Sequence, residues 1–421
     1  MRNVATRTRR VLLYAGLDPF ATPDRSSRPT LQRAPLEHWL GSVGRAKDVA
    51  GDVSIQSIAS GSHSLLAYAN AAQNVRVLSA GSNALGQLGL GFNTPSEGTR
   101  GLVEGFRGQT VASMRASLAA SYLLLQHEDH STELYVMGSR MRGQLGLPPI
   151  KGEHEETASA VSLLSRATPA TIDLDPADAV KSIAVGFEHA LVLTRAGRVF
   201  ATGANPDGQL GLGHHRDAHA FTPVVVPPEV DADEGGIVSI HAGADTSAFV
   251  TARGALWTFG NSEYGQAMHG RVIDKVMLST RVETLGDRRI VDWQCAGSSS
   301  FALDDQGQLL AAGYGTLGLG HGRLEALEPT VVDFDGARVR SFSAASSYAA
   351  AALSSGQVVV FGVNSHEGRL GLGVYERNTH ALSPELLDIA SCTPELRRRR
   401  VVDLVAGRFT LWVVVEGEAM D

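Results

Sequence analysis

An all-β, seven-bladed β-propeller with its ring closed by N- and C-terminal strands sharing one blade is the fold class this sequence predicts. Three observations predict it. One strand-and-turn phrase recurs six times; a second apolar strand precedes every copy; and the two termini together supply one further copy. Repeats are sought first because stacked repeats share one continuous core and override the domain count that length suggests.

The phrase is clearest at Val75–Gly91, where an apolar strand runs into the turn glycine Gly81 and then Gly86-Gln87-Leu88-Gly89. It returns with Gly138 and Gly143-Gln144-Leu145-Gly146, and with Gly203 and Gly208-Gln209-Leu210-Gly211. It is degraded at Gly260–Gln266, lacks its Gln at Gly313–Gly320, and reads Gly368-Arg369-Leu370-Gly371 after Gly362. The turn glycines are 57, 65, 57, 53 and 49 residues apart by subtraction. Glycine at a strand exit permits positive φ or a close backbone approach that a Cβ would obstruct. The Leu is expected to plug the gap between blades, and a buried Gln amide to bond backbone groups of the adjacent blade. Where the Gln is lost, the seam should be looser or more specialised.

The preceding strands include Ile58–His63, Leu118–Tyr122, Val185–His189, Ala242–Thr246, Ala296–Ser300 and Ala344–Tyr348. A seventh, Ala406–Leu411, has no turn glycine after it, whereas Arg10–Gly16 has the strand and glycine without a preceding strand. Joining the two closes a ring, which removes open strand edges. One column of this strand is expected to carry His63, Tyr122, His189, Thr246, Ser300, Tyr348 and Thr410 as hydrogen-bonding groups within the blade. Trp257, Trp293 and Trp412 are expected in strands or blade packing, and Trp39 has no assigned place.

The domain reading is a basic leader at 1–9 with a targeting character, one propeller at 10–415, and an acidic tail at 416–421. Three segments interrupt the pattern: 19–52, 148–179 and 374–400. The second is compatible with a short helix or with a mobile loop, and loops of that length often carry function. A formal charge of −7 argues against broad attraction to nucleic acid, although a local basic patch is compatible with it. Cys295 and Cys392 form no metal or CxxC spacing, which fits a reducing compartment. No apolar run reaches the length of a membrane span.

Motifs with a chemical look are absorbed by the repeat. Gly313-Tyr314-Gly315-Thr316-Leu317-Gly318 is formally a dinucleotide fingerprint, but it sits in the turn register without the helix such a site needs. His214, His215, Asp217 and His219 lack the fixed spacing and thiolates of structural zinc. No catalytic residue, metal or cofactor is expected, and Ser298-Ser299-Ser300 supplies neither base nor orienting acid. Arg397, Arg398, Arg399 and Arg400 form the one dense basic run. It reads as a solvated loop before the final strand or as a contact for phosphates or an acidic partner.

Gly81-Ser82-Asn83-Ala84-Leu85-Gly86-Gln87-Leu88-Gly89 resembles, without gaps, the Gly-x-Asn-x-x-Gly-Gln-Leu-Gly signature of the regulator-of-chromosome-condensation superfamily, as does Gly203–Gly211. The likeness covers about residues 10–415. The wording and order of Gly208–His214, Gly260–Tyr264, Gly313–Gly318 and Gly362–Gly373 resemble its mitochondrial, G-exchanging-factor-like branch. That branch implies guanine-nucleotide exchange on a dynamin-type fusion GTPase. Its alternative is a scaffold for mitochondrial ribosomal RNA and large-subunit assembly, and a further one is a cytosolic or nuclear exchange factor. It also implies mitochondrial location, peripheral contact with the inner membrane, a monomeric state and no covalent chemistry. The Phe-Arg-Asp-type turn by which nuclear members engage their GTPase is absent. The nearest acids, Asp207 and Glu263, are candidate partner contacts together with Arg397–Arg400. The degraded turns at Gly260–Gln266 and Gly313–Gly320 are the first places to look for a partner.

Overall fold

The computed structural model describes residues 8–18, 20, 27–42, 54–69, 74–105, 109–148, 163–175, 177–373 and 380–419. These form seven antiparallel sheets of four strands each. Blade 1 is Ser54–Ser60, His63–Ala69, Val75–Asn83 and Thr94–Leu102. Blade 2 is Thr110–Ala116, Ala120–Gln126, Thr132–Ser139 and Leu163–Pro169. Blade 3 is Val180–Val185, His189–Thr194, Val199–Gly203 and Ala218–Pro223. Blade 4 is Ile237–Gly243, Thr246–Thr251, Leu256–Ser262 and Ile273–Arg281. Blade 5 is Ile290–Cys295, Ser299–Asp304, Leu309–Tyr314 and Glu325–Val331. Blade 6 is Val339–Ala345, Tyr348–Leu353, Val358–Val363 and His380–Leu387.

Blade 7 joins the chain ends. Its inner strands are Leu396–Ala406 and Thr410–Ala419, and its outer strands are Thr8–Leu17 and Ser27–Arg33. Thr8 lies opposite Glu418 and Gly16 opposite Thr410, so a continuous ladder seals the ring. Residues 416–419, read as an acidic tail, are strand, and Thr8 and Arg9 of the leader are strand as well. The first strand of each blade packs against the first strand of the next, from blade 1 round to blade 7 and back.

Seven hydrophobic clusters sit in the seven seams, each drawing residues from two successive blades. Second strands such as Ala120–Gln126, Tyr348–Leu353 and Thr410–Ala419 are buried nearly throughout, because both of their faces meet another blade. Leu88, Leu145, Leu210, Leu317 and Leu370 are at most 1% exposed, which bears out their reading as plugs. Trp257, Trp293 and Trp412 are buried in the seams too. Trp39 finds its place on the helix Leu36–Ser42, whose indole packs on Phe20, Tyr14 and Trp412 at the seam of blades 7 and 1. The three irregular segments supply outer or inner strands, namely Ser27–Arg33, Leu163–Pro169, His380–Leu387 and the start of Leu396–Ala406. The helix-or-loop stretch at 149–162 lies outside the described residues.

Candidate functional site

Each blade turns from its first to its second strand, and from its third to its fourth, at the same end of the ring. This end, the loop face, therefore gathers the tight hairpin turns and all the repeat turns. The turn glycines set the distance between the two. Gly203 has φ +110° and Gly260 φ +107°, and a Cβ on them would lie 2.3 Å from the Glu188 carbonyl and 2.4 Å from that of Asp245. With no Cβ there, Ala204 N–H donates to the Glu188 carbonyl and Asn261 N–H to that of Asp245, both at 2.9 Å. The glycine thus holds the acid-bearing hairpin against its own repeat loop.

The loops are braced from within. Asn83, Asn205 and Asn364 accept from the N–H groups of Leu88, Leu210 and Leu370, and their amides donate to Phe92, His214 and Gly373 carbonyls. The side-chain carbonyls of Gln87, Gln209 and Gln266 accept from N–H groups two residues earlier, at Leu85, Asp207 and Tyr264. This corrects the expectation that the Gln amide reaches the next blade. Its main-chain carbonyl does so instead. Ser121, Ser247 and Ser300 hydroxyls of blades 2, 4 and 5 donate to the carbonyls of Gln87, Gln209 and Gln266. Each amide is short enough to close its own turn, which fixes the carbonyl for the neighbour.

The hydrogen-bonding column also needs correction. It lies on the second strand, and register with the turn glycines places Ala120 and Ser299 in it rather than Tyr122 and Ser300. Thr246 and Thr410 donate to the Asn261 and Leu17 carbonyls within their own blades, as expected. His63, which also meets Ser62 of its own blade, and His189 instead reach Ser121 and Ser247 of the next blade. Each serine hydrogen is given to a Gln carbonyl, so the serine accepts from Nε2–H and the imidazole is the neutral Nε2 tautomer. Burial pushes both histidines down to about 3. At blade 6, Arg369 replaces the Gln. It donates to the carbonyls of Val363, Ser346 and, on blade 7, Arg408, with its guanidinium 4.6 Å over the Tyr348 ring. The seam there is specialised rather than loose.

Acidic side chains gather on the loop face of blades 3 and 4. Glu188 and Asp245 come from the hairpin turns and Asp207 from the repeat loop of blade 3. Burial pushes the Asp245 carboxyl up, and the charges of Asp207 and Glu188 add to it. Arg142 of blade 2 is spoken for by a two-pronged bond to Asp217, 2.7 and 2.8 Å, with Glu188 at 3.6 Å. Lys275 stands 3.6 Å from Asp207. Glu263 is exposed on the next loop, its own N–H bonded to Asn261. The structure therefore brings Asp207 and Glu263 to one face and adds Glu188 and Asp245, which the sequence reading missed. Asp217, grouped with the histidines in the sequence, is engaged by Arg142 and the Asn205 N–H.

Arg397–Arg400 lie at the opposite face, at the start of an inner strand rather than in a loop. Arg398 pairs with Glu418 and Arg400 with Glu416, while Arg399 bonds the Thr393 carbonyl and hydroxyl. A cleft of about 250 Å³ is lined there by Arg340, Arg399, Arg400 and the hairpin tip Ser354–Gly356. Along the central channel one register carries Ser57, Ser113, Ser182, Ser239, Asp292, Ser341 and Asp403, each just past the same bulge. There His241 bridges Ser239 (2.9 Å) and Asp292 (3.3 Å). Burial, with help from Arg115, pushes His241 down to about 4, so it serves as a neutral bridge in this lining. Burial lifts Asp292 to about 7 and Asp403 to about 6, although both border the channel.

The repeat, the ring and the loop face have a known counterpart, because residues 21–413 match the RCC1-like domain family. The chain belongs to the RCC1-like domain family. Its relatives include human Protein RCC2, 30% identical over 256 residues, which are 55% of this chain and 45% of the relative. They also include the human RCC1-like G exchanging factor-like protein, 27% identical over 254 residues, 58% of this chain and 51% of the relative. The chain spans about half the length of these curated relatives. Among solved structures, human WBSCR16, a structure of that same G-exchanging-factor-like branch, superposes with a TM-score of 0.75 at 22% identity. The alignment covers 98% of this chain and all of that one. Yeast RCC1 (Prp20) bound to Kap60 gives 0.74 at 18%, covering 99% and 90%. These two share its fold. The RCC1-like chain is thus a propeller related to exchange factors for GTPases. Among the described residues, no helix is long and apolar enough to cross a membrane.

Proposed function

We propose that this RCC1-like propeller engages a GTPase through its loop face and promotes release of the bound guanine nucleotide, and that it does so in mitochondria. The crowding of Glu188, Asp207 and Asp245 carries the proposal. When a nucleotide leaves a GTPase, the phosphate loop and its lysine lose their anionic partner. Carboxylates held at that position would stabilise the emptied state without covalent chemistry. The internal Asn and Gln bonds hold the loops rigid, so little ordering entropy is lost when the partner docks. Support from relatives is of two kinds. One is named a G exchanging factor-like protein, and a solved structure of yeast Prp20p is described with its binding to Gsp1p and histones. The experiment is nucleotide release from a panel of small and dynamin-type GTPases, where background rates throughout would overturn the reading.

The cleft at Arg340, Arg399 and Arg400 favours a second reading, a scaffold for mitochondrial ribosomal RNA. Three guanidinium groups and two serines suit a phosphate, although Arg400 already holds Glu416 at 2.7 Å. Crosslinking in cells with those arginines changed to Ala tests it, since unchanged RNA recovery would exclude the cleft. Imaging of a C-terminally tagged chain decides between mitochondria and the cytosol or nucleus. Sedimentation decides the monomeric state, and carbonate extraction of mitochondria decides peripheral association with the inner membrane.

A further inference from the structure

Two tyrosines stand out on the loop face because their exposure has no structural return. Tyr264 is 46% and Tyr314 48% exposed, and their rings stack on each other at 5.9 Å with 30° between planes. They come from the two repeat turns that lost the family pattern, in neighbouring blades 4 and 5. Tyr264 occupies the loop-tip position held by Leu85, Arg142 and Asp207 in the other blades, immediately before the second glycine. Neither hydroxyl bonds a described residue, and each ring leaves about half its surface to water. Half-exposed, pre-stacked aromatic rings are the composition of an interface anchor, where Tyr gives contact area at small entropic cost.

The surrounding charge selects the partner. The loop-face turns of blades 3 to 5 (186–188, 204–217, 244–245, 261–275, 297–298 and 314–325) hold seven carboxylates against four Lys and Arg, and Arg142 of blade 2 reaches two of these carboxylates, which leaves a difference of −2. A stacking platform in a basic groove would suit nucleic-acid bases. Here the carboxylates, Glu263 beside Tyr264 and Glu325 opposite Tyr314 in the sheet, repel phosphates and attract cations. A guanidinium satisfies both features, because it stacks flat on a tyrosine ring and donates to carboxylates at its edge.

We propose that Tyr264 and Tyr314 form the anchor for an arginine-bearing segment of a protein partner, with Glu263 and Glu325 as its carboxylate edge. The proposal deepens the reading of the loop face as a partner surface, and it does not require the partner to be a GTPase. An exchange assay can therefore fail while this anchor stands, and the reverse.

The probe is the capped peptide Gly-Arg-Gly-Arg-Gly, titrated into the full chain carrying ring-labelled tyrosine, which has eight tyrosines to observe. Tyr264→Phe and Tyr314→Phe assign the two signals. The expected result is saturable, salt-sensitive shifts of those two rings with buried Tyr68 and Tyr348 unmoved. Measured by titration calorimetry, which needs neither tyrosine signal, affinity should fall at least tenfold in Tyr264→Ala/Tyr314→Ala at an unchanged melting temperature, and be kept in the double Phe variant. Three outcomes would overturn the proposal. One is no shift of either ring at peptide excess. Another is a stronger response to oligouridylate than to the peptide. The last is shifts that track protein concentration alone, which would mean that a second copy covers the pair.

Discussion

The Ser247 hydroxyl of blade 4 donates to the main-chain carbonyl of Gln209 in blade 3 at 2.8 Å, and accepts from His189 Nε2 at the same distance. All three residues are buried, so the serine is a junction for two otherwise unsatisfied groups. Ser247→Ala is expected to lower unfolding free energy by about 1–3 kcal/mol, because it strands a buried acceptor and a buried donor. Denaturant unfolding measures this. A change within experimental error would mean that the seam is held by apolar packing alone.

Arg369→Gln restores the residue that the repeat favours, yet it should destabilise the ring. The guanidinium serves three carbonyls on two blades, which a Gln cannot reach together. Its burial, which lowers its own pKa, offsets part of that gain. A net loss of about 2 kcal/mol is expected by thermal melting, with blade 7 losing hydrogen-exchange protection first.

Acid should loosen the ring through His63 and His189. Their folded pKa values, pushed down to about 3, lie below the ordinary 6.5, so between these values the unfolded chain binds the extra protons. The stability they confer is whole above pH 6.5 and is lost as pH falls towards 3. Each adds a slope of up to about 1.4 kcal/mol per pH unit in that window. In His63→Gln/His189→Gln, where the amide can still donate to serine, stability plotted against pH should be flatter from 6.5 downward.

Gly203→Ala places a methyl 2.3 Å from the Glu188 carbonyl at φ +110°, and should cost about 3 kcal/mol or more. Gly322→Ala, at φ +82° with nothing within 4 Å, should cost only about 1–2 kcal/mol. Equal melting temperatures for the two variants would remove the case for glycine as the spacer under the acidic hairpin.

The ring was legible because its constraint repeats. Gly81, Gly138, Gly203, Gly260, Gly313 and Gly362 all have φ between +105° and +121°, a demand that glycine alone meets cheaply. The outer strands were not legible, since Leu163–Pro169 and Glu325–Val331 are half-exposed and carry no clean alternation. The channel lining was hidden by the bulge in every inner strand, which breaks period two before Asp292 and Asp403. Asp207 and Glu263 could be reached as acids inside a recognised turn. Glu188 and Asp245 could not, because they sit in short hairpins that have no motif, and only the ring brings them beside Asp207.

The measurement that tests the account most directly is release of a fluorescent GDP analogue from the responsive GTPase, with wild type set beside Glu188→Gln/Asp207→Asn/Asp245→Asn. These are half-buried or exposed side chains on the loop face, so circular dichroism should show the fold retained. The account predicts acceleration by the wild type and a loss of at least tenfold in the triple variant. Equal acceleration by both would contradict it.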